Sequence, residues 1–106
     1  FSKILSNNLK LLEDFSILLE KMNKTNKDDV SAACNDFLKV LGYISLAFSW
    51  FKISKISFKK INDNKSFYEE KINTAKYFYD KILPRAEMHY NSAKSRSNII
   101  MNAKFN

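Results

Sequence analysis

The residues with chemistry to offer are few and scattered. One histidine (His89), one cysteine (Cys34) and one glycine (Gly42) occur in 106 residues, with glutamates at Glu13, Glu20, Glu69, Glu70 and Glu87. A helical di-iron site needs Glu three residues before His, and this chain has Ala86 there. A lone imidazole without companion ligands does not hold zinc, so His89 is expected at a boundary or on the surface. One glycine cannot build a phosphate-cradling loop. Cys34 lies in an apolar pattern without an electropositive setting and pairs poorly with His89 as a nucleophile. It is expected to be a small packed hydrophobe. With no second cysteine an intrachain disulfide is excluded, which fits a reducing, cytoplasmic setting. Tyr77-Phe78-Tyr79 and Trp50-Phe51 could stack nucleic-acid bases. At helical spacing, however, Phe51, Phe78 and Tyr79 read as core and Tyr77 as a rim residue. The residues thus specify no catalytic, cofactor-binding or metal site.

What they do specify is an architecture. Gly and Pro occur once each, too few to turn a sheet, so the fold class is all-α: an antiparallel bundle of three long helices. The first helix is expected over residues 2 to about 23, with Leu5, Leu9, Leu12, Phe15, Leu19 and Met22 along one stripe. A polar loop over residues 23–27 follows, with Asn26 as N-cap and Asp28 and Asp29 in the next first turn. The second helix spans about 27–61 and holds the most apolar stretch of the chain, Phe37 to Phe58. Its main stripe is expected through Val30, Cys34, Phe37, Leu41, Ile44, Phe48, Phe51 and Phe58, with Ala33, Val40, Ala47 and Trp50 beside it. Only Lys39 is charged between Phe37 and Phe51, so this helix is expected to be central and buried. The uncharged run Val40–Phe51 is too short for a bilayer, which needs about 20 residues, and no membrane partner is expected.

The third helix is expected over about 66–102, opened by a capping box in which Ser66 caps and Glu69 reaches back. Its stripe runs through Tyr68, Ile72, Ala75, Tyr79, Ile82, Ala86, Tyr90, Ala93 and Ile100. Pro84 kinks or breaks it, giving three helices or four. The tail beyond about Asn102 is expected to fray.

Gly42, Ser45 and Ser49 form a small-residue face on the second helix, next to Leu38 and near Trp50. Gly inside a helix costs about 1 kcal/mol relative to Ala, so close packing should offset it. Either a neighbour inside the domain or another domain or subunit meets that face. Net charge is +7, but acids are interspersed with the lysines throughout. That pattern reads as a solvated surface, and no nucleic acid is expected.

Two motifs carry a resemblance. FLKVLG at 37–42, followed by a run containing Trp50, is similar to Y/F-L-R-L-x-G with its tryptophan-containing sequel. Phe67, Tyr68, Lys71, Thr74, Ala75, Phe78, Leu83 and Pro84 fit F-Y-x-x-K-x-x-T-A-x-x-F-x-x-x-x-L-P. Together they make the chain resemble the C-terminal helical extension of long-form acyl-CoA dehydrogenases, over nearly its whole length. Ser45, Ser49 and Ser54 depart from the family's usual Ala, Met or Gly. The resemblance implies an accessory domain cut from a longer FAD-dependent enzyme that oxidises acyl-CoA thioesters. It implies packing on the catalytic core or bridging of subunits in a homo-oligomer, with no chemistry of its own. None of the five glutamates matches the family's catalytic motif. A freestanding helical interaction module is the alternative, and a basic nucleic-acid binder a more distant one.

Overall fold

The computed structural model describes the backbone of residues 1–25 and 27–105, and the side chains of 1–24 and 30–95. Among the described residues there are helices and no strands: α1 (Ser2–Thr25), α2 (Lys27–Lys60), α3 (Lys65–Tyr77), a π-helical turn Phe78–Ile82, and α4 (Arg85–Phe105). The π turn joins α3 to α4, so the chain has three long helical segments with the third divided. At 1.5 Å per residue the 34 residues of α2 reach about 50 Å, which sets the long axis of a rod measuring 64 × 20 × 19 Å. The expected N-cap at Asn26 lies outside the described residues, as do the side chains of Asp28, Asp29 and Ile100.

α2 is the spine, packing against α1, α3 and α4, while α1 also touches α4. Its buried seam is Ala33, Val40, Ala47 and Ser54, one residue every seven. A strict seven-residue repeat keeps one seam turned to neighbouring helices along a slightly supercoiled path. Phe37, Tyr43, Trp50 and Phe51 flank the seam half-buried. The bulkier stripe expected to face the core does not do so as a whole. Cys34, Leu41, Phe48 and Phe58 are exposed, and only Ile44 of that stripe is fully covered. The reason is steric: small seam residues let large side chains from the other helices come close to the α2 backbone. Phe15, fully buried, lies edge-on to Phe37 at 5.2 Å and tilted against Tyr90 at 5.2 Å. Leu5, Met22, Ala86 and Ala93 complete this core.

The start of the third segment also differs from expectation. Asn64, not Ser66, is the N-cap of α3: its Oδ1 accepts the Phe67 N–H at 3.2 Å, from an extended backbone at φ −157°, ψ 87°. Asn is at least as good a cap as Ser and sits two residues earlier, so the helix begins before Ser66 can serve. Glu69 lies 4.0 Å from Lys65 instead of reaching back to Ser66.

Pro84 acts upstream of itself. Leu83 keeps helical angles (φ −58°, ψ −36°), and its N–H reaches Phe78 O at 2.8 Å, five residues back. Proline lacks a donor and its ring crowds the carbonyl four residues earlier. A wider turn over Phe78–Ile82 accommodates both effects, and the chain resumes α-helix at Arg85. The extra residue in that turn lets Phe78, Tyr79 and Leu83 all be buried.

A candidate interface on the long helix

Four polar contacts show how the inner side of α2 is closed. Tyr79, placed by the π turn, donates its hydroxyl to Ala47 O at 2.6 Å. Burial removes water from that phenol and raises its pKa above the ordinary 10.0. His89 Nδ1 is 2.9 Å from Asp36 Oδ1, joining α4 to α2, and the imidazole stacks on Tyr43 with centroids 6.1 Å apart. His89 is therefore half-buried and partnered. Its mate stands 53 residues away, so no local spacing marks the pair. Ser54 and Ser57, buried where α3 packs, bond to Phe51 O at 2.9 Å and Ile53 O at 2.7 Å in their own helix.

None of this is a reaction centre. Every buried side-chain N or O among the described residues has a partner, and no group of three metal-ligating side chains occurs there. The cleft between α1 and the π turn, about 340 Å³ with Ile4, Leu11, Pro84 and Glu87 on its walls, has its Tyr79 hydroxyl already committed to Ala47. Among the described residues a flavin finds no fit: the one glycine is in mid-helix, and no buried polar group there awaits a ligand.

The outer side of α2 is different. Leu38 is 63 % exposed, Leu46 51 %, Phe48 44 %, Ile53 37 % and Ile56 52 %. Gly42, Ser45 and Ser49 lie exposed among them, at spacings of three and four. A Cβ built on Gly42 would meet nothing within 4 Å, so no neighbour among the described residues explains that glycine. Ser49 Oγ turns back onto Ser45 O at 3.3 Å, leaving the strip shallow and nearly apolar. Trp50 stands apart from it, half-buried against the core. The sites expected from sequence thus divide: Gly42, Ser45 and Ser49 share an open face, and Trp50 belongs to its shoulder. Contiguous exposed apolar surface of this kind marks an interaction site.

By length and composition alone, Val30–Lys60 is also apolar enough to cross a membrane. That window is longer than the uncharged run considered above because it admits lysines. Beside it, however, α1 packs with Lys10, Glu13 and Asp14 exposed, and these charges would share any hydrocarbon layer that α2 entered.

Compared with known proteins, residues 2–104 match the model of the family described as acetyl-CoA dehydrogenase C-terminal like. No curated protein and no solved structure matches the chain.

Proposed function

This chain belongs to the acetyl-CoA dehydrogenase C-terminal-like family, and from that premise we propose that it is the accessory domain of an FAD-dependent acyl-CoA dehydrogenase. The domain packs on the catalytic core or bridges subunits of a homo-oligomer, and performs no chemistry itself. The flavin and the acyl-CoA substrate belong to the rest of that enzyme, in cytoplasmic fatty acid metabolism.

The observation that carries the reading is the open face of α2, where exposed large apolar side chains flank exposed Gly42, Ser45 and Ser49, and a Cβ on Gly42 would meet none of the described residues. Covering it removes apolar surface from water at about 25 cal/mol per Å², and the small residues admit a close-packed helix. The domain itself is taken as an antiparallel bundle with its third helix bent at Pro84. The pairings Phe15 with Phe37, Asp36 with His89 and Ala47 with Tyr79 support that order.

The test begins with the full-length polypeptide that contains these residues. Bound flavin that is bleached by acyl-CoA thioesters is the expected result. Removing residues 1–106 should then lower flavin retention or oligomeric order. A truncated enzyme with unchanged assembly, flavin content and activity would sink the reading. A full-length protein without flavin would point to the interaction-module alternative.

A further inference from the structure

The open face of α2 is not uniform along its length. Between Asp36 and Asp63 the chain has no acid, and its cations are Lys39, Lys52, Lys55, Lys59 and Lys60. Four of these fall in the last nine residues of α2, alternating with exposed Ile53, Ile56 and Phe58. Among the described residues Lys55, Lys59 and Lys60 have no ion pair, and Lys52 lies over the Phe48 ring at 5.1 Å. The helix dipole accounts for Lys59 and Lys60 in the last turn, but its effect has faded by Lys55 and Lys52.

Resting on the docking proposed above, we infer that the surface of the catalytic core receiving α2 is divided in the same way. An apolar, closely approaching strip lies opposite Leu38–Ser49, and an acidic strip lies opposite Lys52–Lys60. Covering unpaired ammonium groups is costly unless opposite charge meets them, and complementary charge also fixes the direction in which a helix docks.

Two other occupants fit less well. A second copy crossing antiparallel at Ser45 would set Lys52–Lys60 against residues 30–38, whose one acid, Asp36, is already bonded to His89. A parallel pair would set lysine on lysine. A bilayer gains nothing from the Gly42, Ser45 and Ser49 strip, which offers little apolar area where the face is most central.

The full-length enzyme provides the test. It is acetylated under native conditions with limiting reagent, and each lysine is followed by peptide mass spectrometry. In the same sample, hydroxyl-radical labelling of Phe48 reads whether the face is covered. The expected result is Lys52, Lys55 and Lys59 reacting several-fold more slowly than exposed Lys10 and Lys76, with Phe48 protected. The double variant Lys55→Glu, Lys59→Glu should loosen the domain, more so at low salt, where charge contacts are least screened. Lysines as reactive as Lys76 beneath a protected Phe48 would overturn the acidic strip while leaving docking intact. Equal reactivity with Phe48 open would overturn both. Protection gained only on adding phosphatidylserine vesicles would overturn the protein partner in favour of an anionic lipid surface.

Discussion

The two sides of α2 are built from similar residues and meet opposite fates. On the inner side Ala33, Val40 and Ala47 are sealed by Phe15, Tyr79 and their neighbours, and Ser54 and Ser57 are buried with their hydroxyls satisfied. On the outer side Ser45 and Ser49 are equally small and Leu38, Leu46 and Phe48 more apolar, yet all are open to water. The difference lies in supply. α1 and α3–α4 together present enough large side chains to cover one side of a 34-residue helix, and none of the described side chains remains for the other. A helix that is apolar all round therefore states how many faces require cover, while the rest of the chain decides how many receive it.

That contrast is broken most forcefully at Phe15. Phe15→Ala should destabilise the chain by roughly 3–5 kcal/mol, because the ring is fully buried between Phe37 and Tyr90. Leu46→Ala on the outer side should stay within about 0.5 kcal/mol in denaturant unfolding. Comparable losses at the two positions would mean that the outer face is covered within the chain itself.

The polar closures of the inner side come next. Asp36→Ala leaves His89 half-buried without its mate and should cost about 1–3 kcal/mol by urea titration. Tyr79→Phe removes one buried donor and should cost about 1 kcal/mol. Tyr79 also gives a pH signature. Its folded-state pKa is raised by burial, so its contribution is fully present below the unfolded value of about 10. It is lost as pH rises further through the folded value, because the unfolded chain ionises first. Thermal unfolding between pH 9 and 11 should fall more steeply for the parent chain than for Tyr79→Phe.

The smallest effect sharpens the contrast through its sign. Gly42→Ala meets open space and should stabilise the chain alone by roughly 0.5–1 kcal/mol from helix propensity. In the full-length enzyme the added methyl lies in the proposed contact, so the same change should loosen the domain. Stabilisation in both settings would show that nothing approaches Gly42.

Much of the bundle was legible in the sequence. Leu5, Phe15 and Met22 of the first stripe and Ile72, Ala75, Tyr79, Ala86 and Ala93 of the third are buried, Leu12, Leu19, Tyr68, Ile82 and Tyr90 are half-buried, and Leu9 is exposed against its spacing. The seam of α2 was harder to read because two stripes run side by side at the same period. Hydrophobicity favours Leu41, Phe48 and Phe58, whereas packing favours Val40, Ala47 and Ser54, whose small size admits partners from other helices. The π turn and the Asp36–His89 pair were hidden for another reason. The pair joins residues 53 positions apart, and the π turn is a property of a whole turn of backbone with no residue pattern of its own. Gly42, Ser45 and Ser49 stood out by composition alone, and the structure adds that their face is open.

The central claim is that the outer face of α2 is covered in the complete enzyme, and radical footprinting tests it most directly. Phe48 is 44 % exposed in this chain, and Tyr77, on another helix, is 60 % exposed. In the native full-length protein Tyr77 should label as an open residue, and Phe48 should label as slowly as buried Phe15. Phe48 labelling in proportion to its exposure here would contradict the account.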